Sequence, residues 1–467
     1  MKKKLSVTHF LLYPKGDTMR IKLDIPLTVS EVISAVGGEG SCSGNEKIYY
    51  LTTDTRESEP GDLFFALDGN NSSGENYVTH KLCQRLHAVT VKSAENAITV
   101  SDTKAALLDL SSYYLGKLER LKHTVAITGS VGKTTTKEFV RVLASGSYIT
   151  HTSPGNFNNE IGVPLTILSA PKNTEVLICE VGMNHTGEIS KISKALSPNV
   201  AVITNIGTAH IGNLGSRENI AKAKLEILNG MSKGVLIVPK DEPLVLSYGN
   251  KSFSISDKSA DYCVSRSEIY ESGRFRANHL FNPQGEHFIA CLAASFAVCR
   301  ELSIDFKCLV SRISDISQNN TRQKITKVGE FYVFEDYYNA SIESIEADFK
   351  LLASCEGYSM RSALLGDMLE LGDMSEYIHK RVGELAAYYK LDKLYLFGKY
   401  GRYYREGAIF SGFDKSKIFL NEDRTNPSLT KQQILDNVSQ NEIILFKGSR
   451  NMHLEKILDL FKENKQQ

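Results

Sequence analysis

Thr124-Val125-Ala126-Ile127-Thr128-Gly129-Ser130-Val131-Gly132-Lys133-Thr134-Thr135 decides the fold of this 467-residue chain. Its first five residues are small or β-branched and carry no charge, the texture of a strand buried on both faces. Thr134 to Leu143 then reads as a helix. Between the two, the glycines let the backbone wrap an anion, with N–H groups and the helix N-terminus facing it. Lys133 can reach the β- and γ-phosphates of a nucleotide, and the Thr134 hydroxyl can hold Mg²⁺. The predicted nucleotide cradle is therefore Gly129, Ser130, Val131, Gly132, Lys133, Thr134 and Thr135. Its G-x-x-G-K-T spacing is shorter than the common G-x-x-x-x-G-K-T, unless Ala126 takes the place of the first glycine.

Moving outward, strands are expected at Glu175–Val181, Val200–Thr204 and Gly234–Val238, with an amphipathic helix at Arg217–Met231. Such alternation argues for βαβ units and a mainly parallel sheet. Residues 251–285 lose the pattern and read as short antiparallel strands or loops, before an apolar helix from His287 to Leu302. The alternation restarts with strands at 331–335, 362–366, 393–397 and 442–446, and Leu454–Glu463 closes the chain as a helix. Upstream, strands at Tyr49–Leu51, Leu63–Leu67 and Ala88–Val91 and a helix at Val29–Val36 suggest a compact unit, followed by a helix from Thr103 to Leu121. The predicted architecture is α/β with three domains. A small N-terminal α/β domain takes residues 1–100, a central P-loop parallel-sheet domain 101–320, and a C-terminal Rossmann-like α/β domain 321–467. The last boundary is placed within Gln318–Lys327, and residues 1–18 read as an extension ahead of an alternative start at Met19.

Composition narrows the function. Apolar residues make up 42% and charged residues 23%, an ordinary folded chain. A formal net charge of +1 argues against bulk attraction to nucleic acid or a membrane surface. The eight cysteines are scattered with no C-x-x-C pair, as expected of reduced thiols in the cytoplasm. No apolar run approaches the ~20 residues that span a bilayer. The lysines at positions 2–4 resemble the start of a signal peptide, but Thr8 and His9 interrupt the apolar stretch behind them.

Two further residues belong with the phosphate loop. Glu180 ends the strand 175–181, and His210 follows the strand 200–204 by one short loop. Both are expected at the sheet edge that carries Lys133, where ligands gather in parallel sheets.

These segments resemble the Mur ligases. Thr128–Thr135, Glu180-Val181-Gly182-Met183-Asn184 and Thr204-Asn205-Ile206-Gly207-Thr208-Ala209-His210 are similar to that family's ATP site. Thr152-Ser153-Pro154-Gly155-Asn156-Phe157-Asn158-Asn159-Glu160-Ile161-Gly162-Val163-Pro164 is the most family-specific stretch. Asp54-Thr55-Arg56 and Pro60–Leu67 resemble its UDP-sugar domain. Asp336-Tyr337-Tyr338-Asn339-Ala340, Leu365–Gly372 and Lys447-Gly448-Ser449-Arg450 are similar to segments of the member that adds a dipeptide.

The resemblance implies an ATP-dependent ligase joining D-alanyl-D-alanine to UDP-N-acetylmuramoyl-tripeptide through an acyl phosphate. It would be a cytoplasmic monomer in peptidoglycan precursor synthesis, serving cell-wall biogenesis, cell shape, cell division and the cell cycle, with ATP and Mg²⁺ as cofactors. No nucleic acid partner and no membrane insertion are expected. The resemblance makes Lys133, Glu180, His210 and Lys224 catalytic. It gives the metal to Thr134, Glu180, His210 and, if carbamylated, Lys224. Arg322, Asp336 and Asn339 join the nucleotide cradle. Thr55, Arg56, Asn156, Asn158, Asn159, Lys447 and Arg450 are substrate-binding candidates, with either Asn158 or Asn159 making the family's recurrent contact. Three places depart from the family. Gly285–Cys291 lacks the asparagines usual near adenine, Asn339-Ala340-Ser341-Ile342 lacks Asn-Pro, and Ser72-Ser73-Gly74-Glu75 replaces a D-G-H turn. Competing readings are a relative adding the third residue, a folylpolyglutamate synthase, and a nucleotide-dependent binding module without turnover.

Overall fold

A computed structural model describes residues 20–40, 44–69, 72–94, 96–281, 285–318 and 324–463. The expected extension 1–18, Arg322 and the middle of the boundary segment 318–327 lie outside the described residues.

Three sheets organise the chain. The first has six strands in the order 20–28, 47–52, 63–65, 87–90, 97–99 and 39–40. The expected helix Val29–Val36 is present, and a capping box starts it: Thr28 Oγ1 accepts from Glu31 N at 3.2 Å and Glu31 Oε2 accepts from Thr28 N at 2.7 Å. The Lys117 ammonium, hydrogen-bonded to Glu31, draws that carboxyl down to about 2 and ties this helix to the chain that follows.

The second sheet has nine strands. The phosphate-loop strand His123–Thr128 lies between Val176–Glu180 and Val200–Ile203, parallel to both. Apolar side chains cover both faces of this strand: Val125 and Ile127 join one core, Ala126 another. That explains its unbroken apolar texture. Region 251–285 meets the expectation of short antiparallel strands only in part. Lys251–Ser254 and Tyr262–Val264 extend the sheet in parallel. Glu268–Glu271 then runs antiparallel to both Tyr262–Val264 and Arg274–Asn278, reaching the latter through Ser272 (φ 48°) and Gly273 (φ 77°). Two positive-φ residues suit a tight hairpin between right-twisted strands.

The helix expected over 103–121 stops at Leu115, where Gly116 follows. It buries Leu107, Leu110 and Tyr114. The Tyr114 hydroxyl accepts from Ile25 N at 3.1 Å and donates to Ala170 O at 3.4 Å, so one side chain ties the first sheet to the loop after the helix Gly162–Leu168 of the second unit. One continuous apolar core accordingly runs from Ile21 through Leu110 to Val245.

The third sheet runs 324–328, 331–335, 443–447, 361–366, 393–397 and 418–421. It is parallel except for the 324–335 hairpin. Its helices pack into two cores of their own.

Candidate active site

The second and third sheets meet at a cavity of about 580 Å³ lined by Ser130–Thr135, Glu180, His210, Asp336, Asn339, Lys447 and Arg450, with Asn156 and Asn158. The loop is shaped by its glycines. Gly129 sits at φ 147° and Gly132 at φ 81°, and a Cβ on Gly129 would fall 1.9 Å from Thr204 Oγ1. The neighbouring strand end closes the loop from behind. Asn205 Oδ1 accepts from Ser130 N at 3.1 Å and Val131 N at 2.9 Å, and Thr204 Oγ1 donates to Val131 O at 2.6 Å. Lys133 opens the helix Lys133–Ala144, and its ammonium folds back to Gly129 O at 2.7 Å and Ser130 O at 3.2 Å.

Glu180 ends its strand buried, and both carboxylate oxygens are engaged. Thr134 Oγ1 donates to one at 2.6 Å and Asn158 Nδ2 to the other at 2.8 Å. This separates two residues left equivalent by sequence. Asn158 reaches the cavity carboxylate. Asn159 Oδ1 instead accepts from Gly162 N at 2.8 Å and Ile161 N at 3.1 Å, holding the start of the helix Gly162–Leu168. The Asn158 loop is anchored from below by Lys137, whose buried ammonium donates to Ser153 O at 2.6 Å, while Ser153 Oγ accepts from Glu180 N at 3.0 Å.

His210 faces the cavity from a left-handed residue (φ 65°), and its Nδ1 lies 2.7 Å from Glu370 Oε2. Glu370 is itself left-handed (φ 67°), and the imidazole holds its carboxyl below the ordinary range. Beside this pair the backbones of Gly212 and Gly372 touch. A Cβ on Gly212 would lie 2.4 Å from Gly372 N, so no larger residue fits that approach. Glu343 makes a second bridge between the sheets. It stands in the first turn of the helix Ile342–Ser354, and its Oε1 accepts from Thr208 N at 2.7 Å. Its Oε2 is buried and has no hydrogen-bond partner among the described residues.

Lys447 was a candidate for nucleotide or dipeptide contacts. It lies 2% exposed between Asp336 at 2.6 Å and Asp348 at 2.8 Å. These carboxylates hold the ammonium charged against its burial, and burial raises the Asp348 carboxyl. The neighbouring His287 is pushed down to about 4, by burial first and the Lys447 charge second.

Lys224 is equally buried, on the helix Arg217–Leu225, but does not line the cavity. Burial, and then the charge of Lys133, lower its amine well below the ordinary lysine range. Thr55 and Arg56 also lie away from the cavity lining, Arg56 exposed with its Nε 2.9 Å from Asp54 Oδ1. Arg450 pairs with Glu455 at 3.0 Å at the cavity rim. Sequence reading did not single out Asp348, Glu343, Glu370 or Lys137. Among the described residues, no group of three or more His, Cys, Asp or Glu side chains is arranged to hold a metal. The oxygen donors Thr134 and Glu180 suit a Mg²⁺ that takes its remaining ligands from phosphate and water.

A loop of this kind at the end of a parallel sheet defines a nucleotide-binding P-loop protein. Residues 127–297 match the Mur ligase middle domain. The UDP-N-acetylmuramoyl-tripeptide–D-alanyl-D-alanine ligase of Bacillus subtilis is 36% identical over 428 residues, 88% of this chain and 92% of that protein. MurF from Acinetobacter baumannii superposes with a TM-score of 0.82 at 28% identity, covering 94% of this chain and 99% of that one. The MurF ligase of Thermotoga maritima in complex with ADP gives 0.74 at 25% identity, over 88% and 97%. The chain belongs to the Mur ligase family, among the UDP-N-acetylmuramoyl-tripeptide–D-alanyl-D-alanine ligases.

Proposed function

We propose that this chain is the ATP-dependent ligase that joins D-alanyl-D-alanine to UDP-N-acetylmuramoyl-tripeptide in peptidoglycan precursor synthesis. The observation that carries the reading is near full-length similarity to such a ligase, together with an intact Lys133–Thr134–Glu180–Asn158 cluster.

The tripeptide carboxylate takes the γ-phosphoryl group of ATP, and the dipeptide amine displaces phosphate from the acyl phosphate. The loop N–H groups and Lys133 neutralise charge on the transferring group. To do so Lys133 leaves the loop carbonyls it holds in this structure. Mg²⁺, when bound, shields the phosphate charge at Thr134 and Glu180. Asn158 fixes the rotamer of Glu180, and His210 supports the same edge. Lys224 has the reactivity that carbamylation requires, because a lysine held neutral is the form that adds carbon dioxide.

Residues 1–100 are assigned to the UDP-sugar, 101–320 to ATP and 321–467 to the acceptor and to closure. Arg322, Asp336 and Asn339 complete the nucleotide site. Thr55, Arg56, Asn156, Asn158 and Arg450 take substrate contacts, whereas Lys447 acts by holding Asp336. The enzyme works in the cytoplasm as a monomer. Among the described residues no helix is long and apolar enough to cross a membrane. The test is phosphate release that requires UDP-N-acetylmuramoyl-tripeptide, D-alanyl-D-alanine and Mg²⁺ together, with the pentapeptide product weighed by mass spectrometry. Folded protein that makes no pentapeptide refutes the reading.

A further inference from the structure

The ligation step leaves one requirement unassigned. The incoming amine arrives protonated and must lose a proton before it can attack. The carboxylates lining the cavity are Glu180, Asp336, Glu343, Asp348 and Glu370. Glu180 has both oxygens engaged by Thr134 and Asn158. Asp336 and Asp348 hold Lys447, and Glu370 holds His210. Glu343 differs. Its Oε1 is fixed by the Thr208 N–H, and its Oε2 is buried with neither hydrogen bond nor ion pair among the described residues. A buried carboxylate oxygen without a donor costs free energy that a cationic ligand would recover. Its position fits the chemistry. A Cβ built on Gly207 would fall 2.9 Å from Glu343 Oε1 and 3.2 Å from Ser130 Cβ, so the carboxylate stands against the phosphate loop.

We propose that Glu343 receives the ammonium group of the incoming dipeptide and accepts its proton. The assignment rests on the ligase reading above. One ammonium proton passes to Glu343 Oε2, and the freed lone pair forms the C–N bond at the acyl carbon. The bond from carbon to the phosphate oxygen breaks, and the second N–H proton leaves with phosphate or solvent. Glu343 comes from the C-terminal unit and Thr208 from the central one, so the acceptor is in place only when the two are together.

The experiment compares two nucleophiles on the native enzyme and on Glu343→Gln. The amide keeps an oxygen for Thr208 N–H but cannot take a proton. Hydroxylamine is uncharged at neutral pH and traps the acyl phosphate without a base. The variant is expected to lose about 10²- to 10³-fold in kcat/KM for D-alanyl-D-alanine. It should form hydroxamate at the native rate. Glu343→Asp, with the carboxylate drawn back by one methylene, should fall between the two, and equal melting temperatures establish that each variant is folded. Undiminished dipeptide kcat/KM in Glu343→Gln overturns the proposal. Equal loss of hydroxamate and dipeptide product also overturns it, placing the carboxylate at the nucleotide end. Native enzyme that makes hydroxamate but no dipeptide product overturns the acceptor reading itself, and this assignment with it.

Discussion

Lys224 and Lys447 are each 2% exposed, yet their surroundings drive them in opposite directions. Lys447 sits between Asp336 and Asp348 and stays charged. Lys224 faces the charge of Lys133 with no carboxylate paired to it among the described residues, and its amine is pushed toward neutrality. Burial alone therefore does not set the state of a lysine; the count of opposite charges around it does. The same two positions divide the site into a C-terminal side held by fixed ion pairs and a central side left chemically open.

The largest expected effect removes the charge beside the open side. Lys133→Ala should lower ligation by about 10³-fold or more, measured as phosphate release, because phosphoryl charge loses its stabiliser. Next, Lys447→Met should cost about 3–5 kcal/mol in denaturant unfolding, since it leaves buried carboxylates without a counter-charge. Lys224→Met should leave unfolding far less affected, and equal losses would break the contrast. The open state of Lys224 has its own check. Native protein in ¹³C-bicarbonate should show a carbamate carbonyl signal that Lys224→Arg lacks.

Acid should act through buried histidines. His151, His287 and His379 are each pushed down to about 4, chiefly by burial. His379 is held neutral by its contacts, its Nε2 accepting from Met368 N at 3.0 Å. The unfolded chain binds protons near the ordinary value of about 6.5 while the native chain refuses them, so stability should fall as pH drops from there toward 4. Each histidine should remove up to about 3 kcal/mol across that range, visible in melting temperatures. The smallest effect concerns the paired asparagines. Asn159→Ala should cost about 1 kcal/mol of stability by leaving Ile161 N and Gly162 N without their acceptor. Asn158→Ala should instead lower kcat through Glu180.

Much of this site is legible in sequence because the phosphate loop is local: strand, glycines, Lys133 and Thr134 are contiguous, Glu180 ends a predictable strand and His210 follows another by one short loop. Most of what escaped came from helices, and Glu370 from the loop after strand 361–366. Asp348 and Glu343 look like ordinary acidic positions on the helix Ile342–Ser354, and only packing turns one into the floor of Lys447 and the other into a lining carboxylate. Lys137 reads as a solvated lysine until the fold buries it beneath Ser153. Strand 418–421 was missed because it is short and its middle residues are only half-buried, so it offers neither an apolar run nor clean alternation. Strands 251–254 and 262–264 are also short, so neither carries a pattern that separates parallel from antiparallel pairing.

Tyr114 has a consequence for ligand design. Because it joins the first two sheets into one core, the distance between the first sheet and the phosphate loop is fixed ahead of any ligand. A bivalent inhibitor spanning those two regions would meet a preset ruler, and its linker can be rigid. One reaching instead to the third sheet, which has cores of its own, would meet a span set by bridges such as those at Glu343 and Glu370.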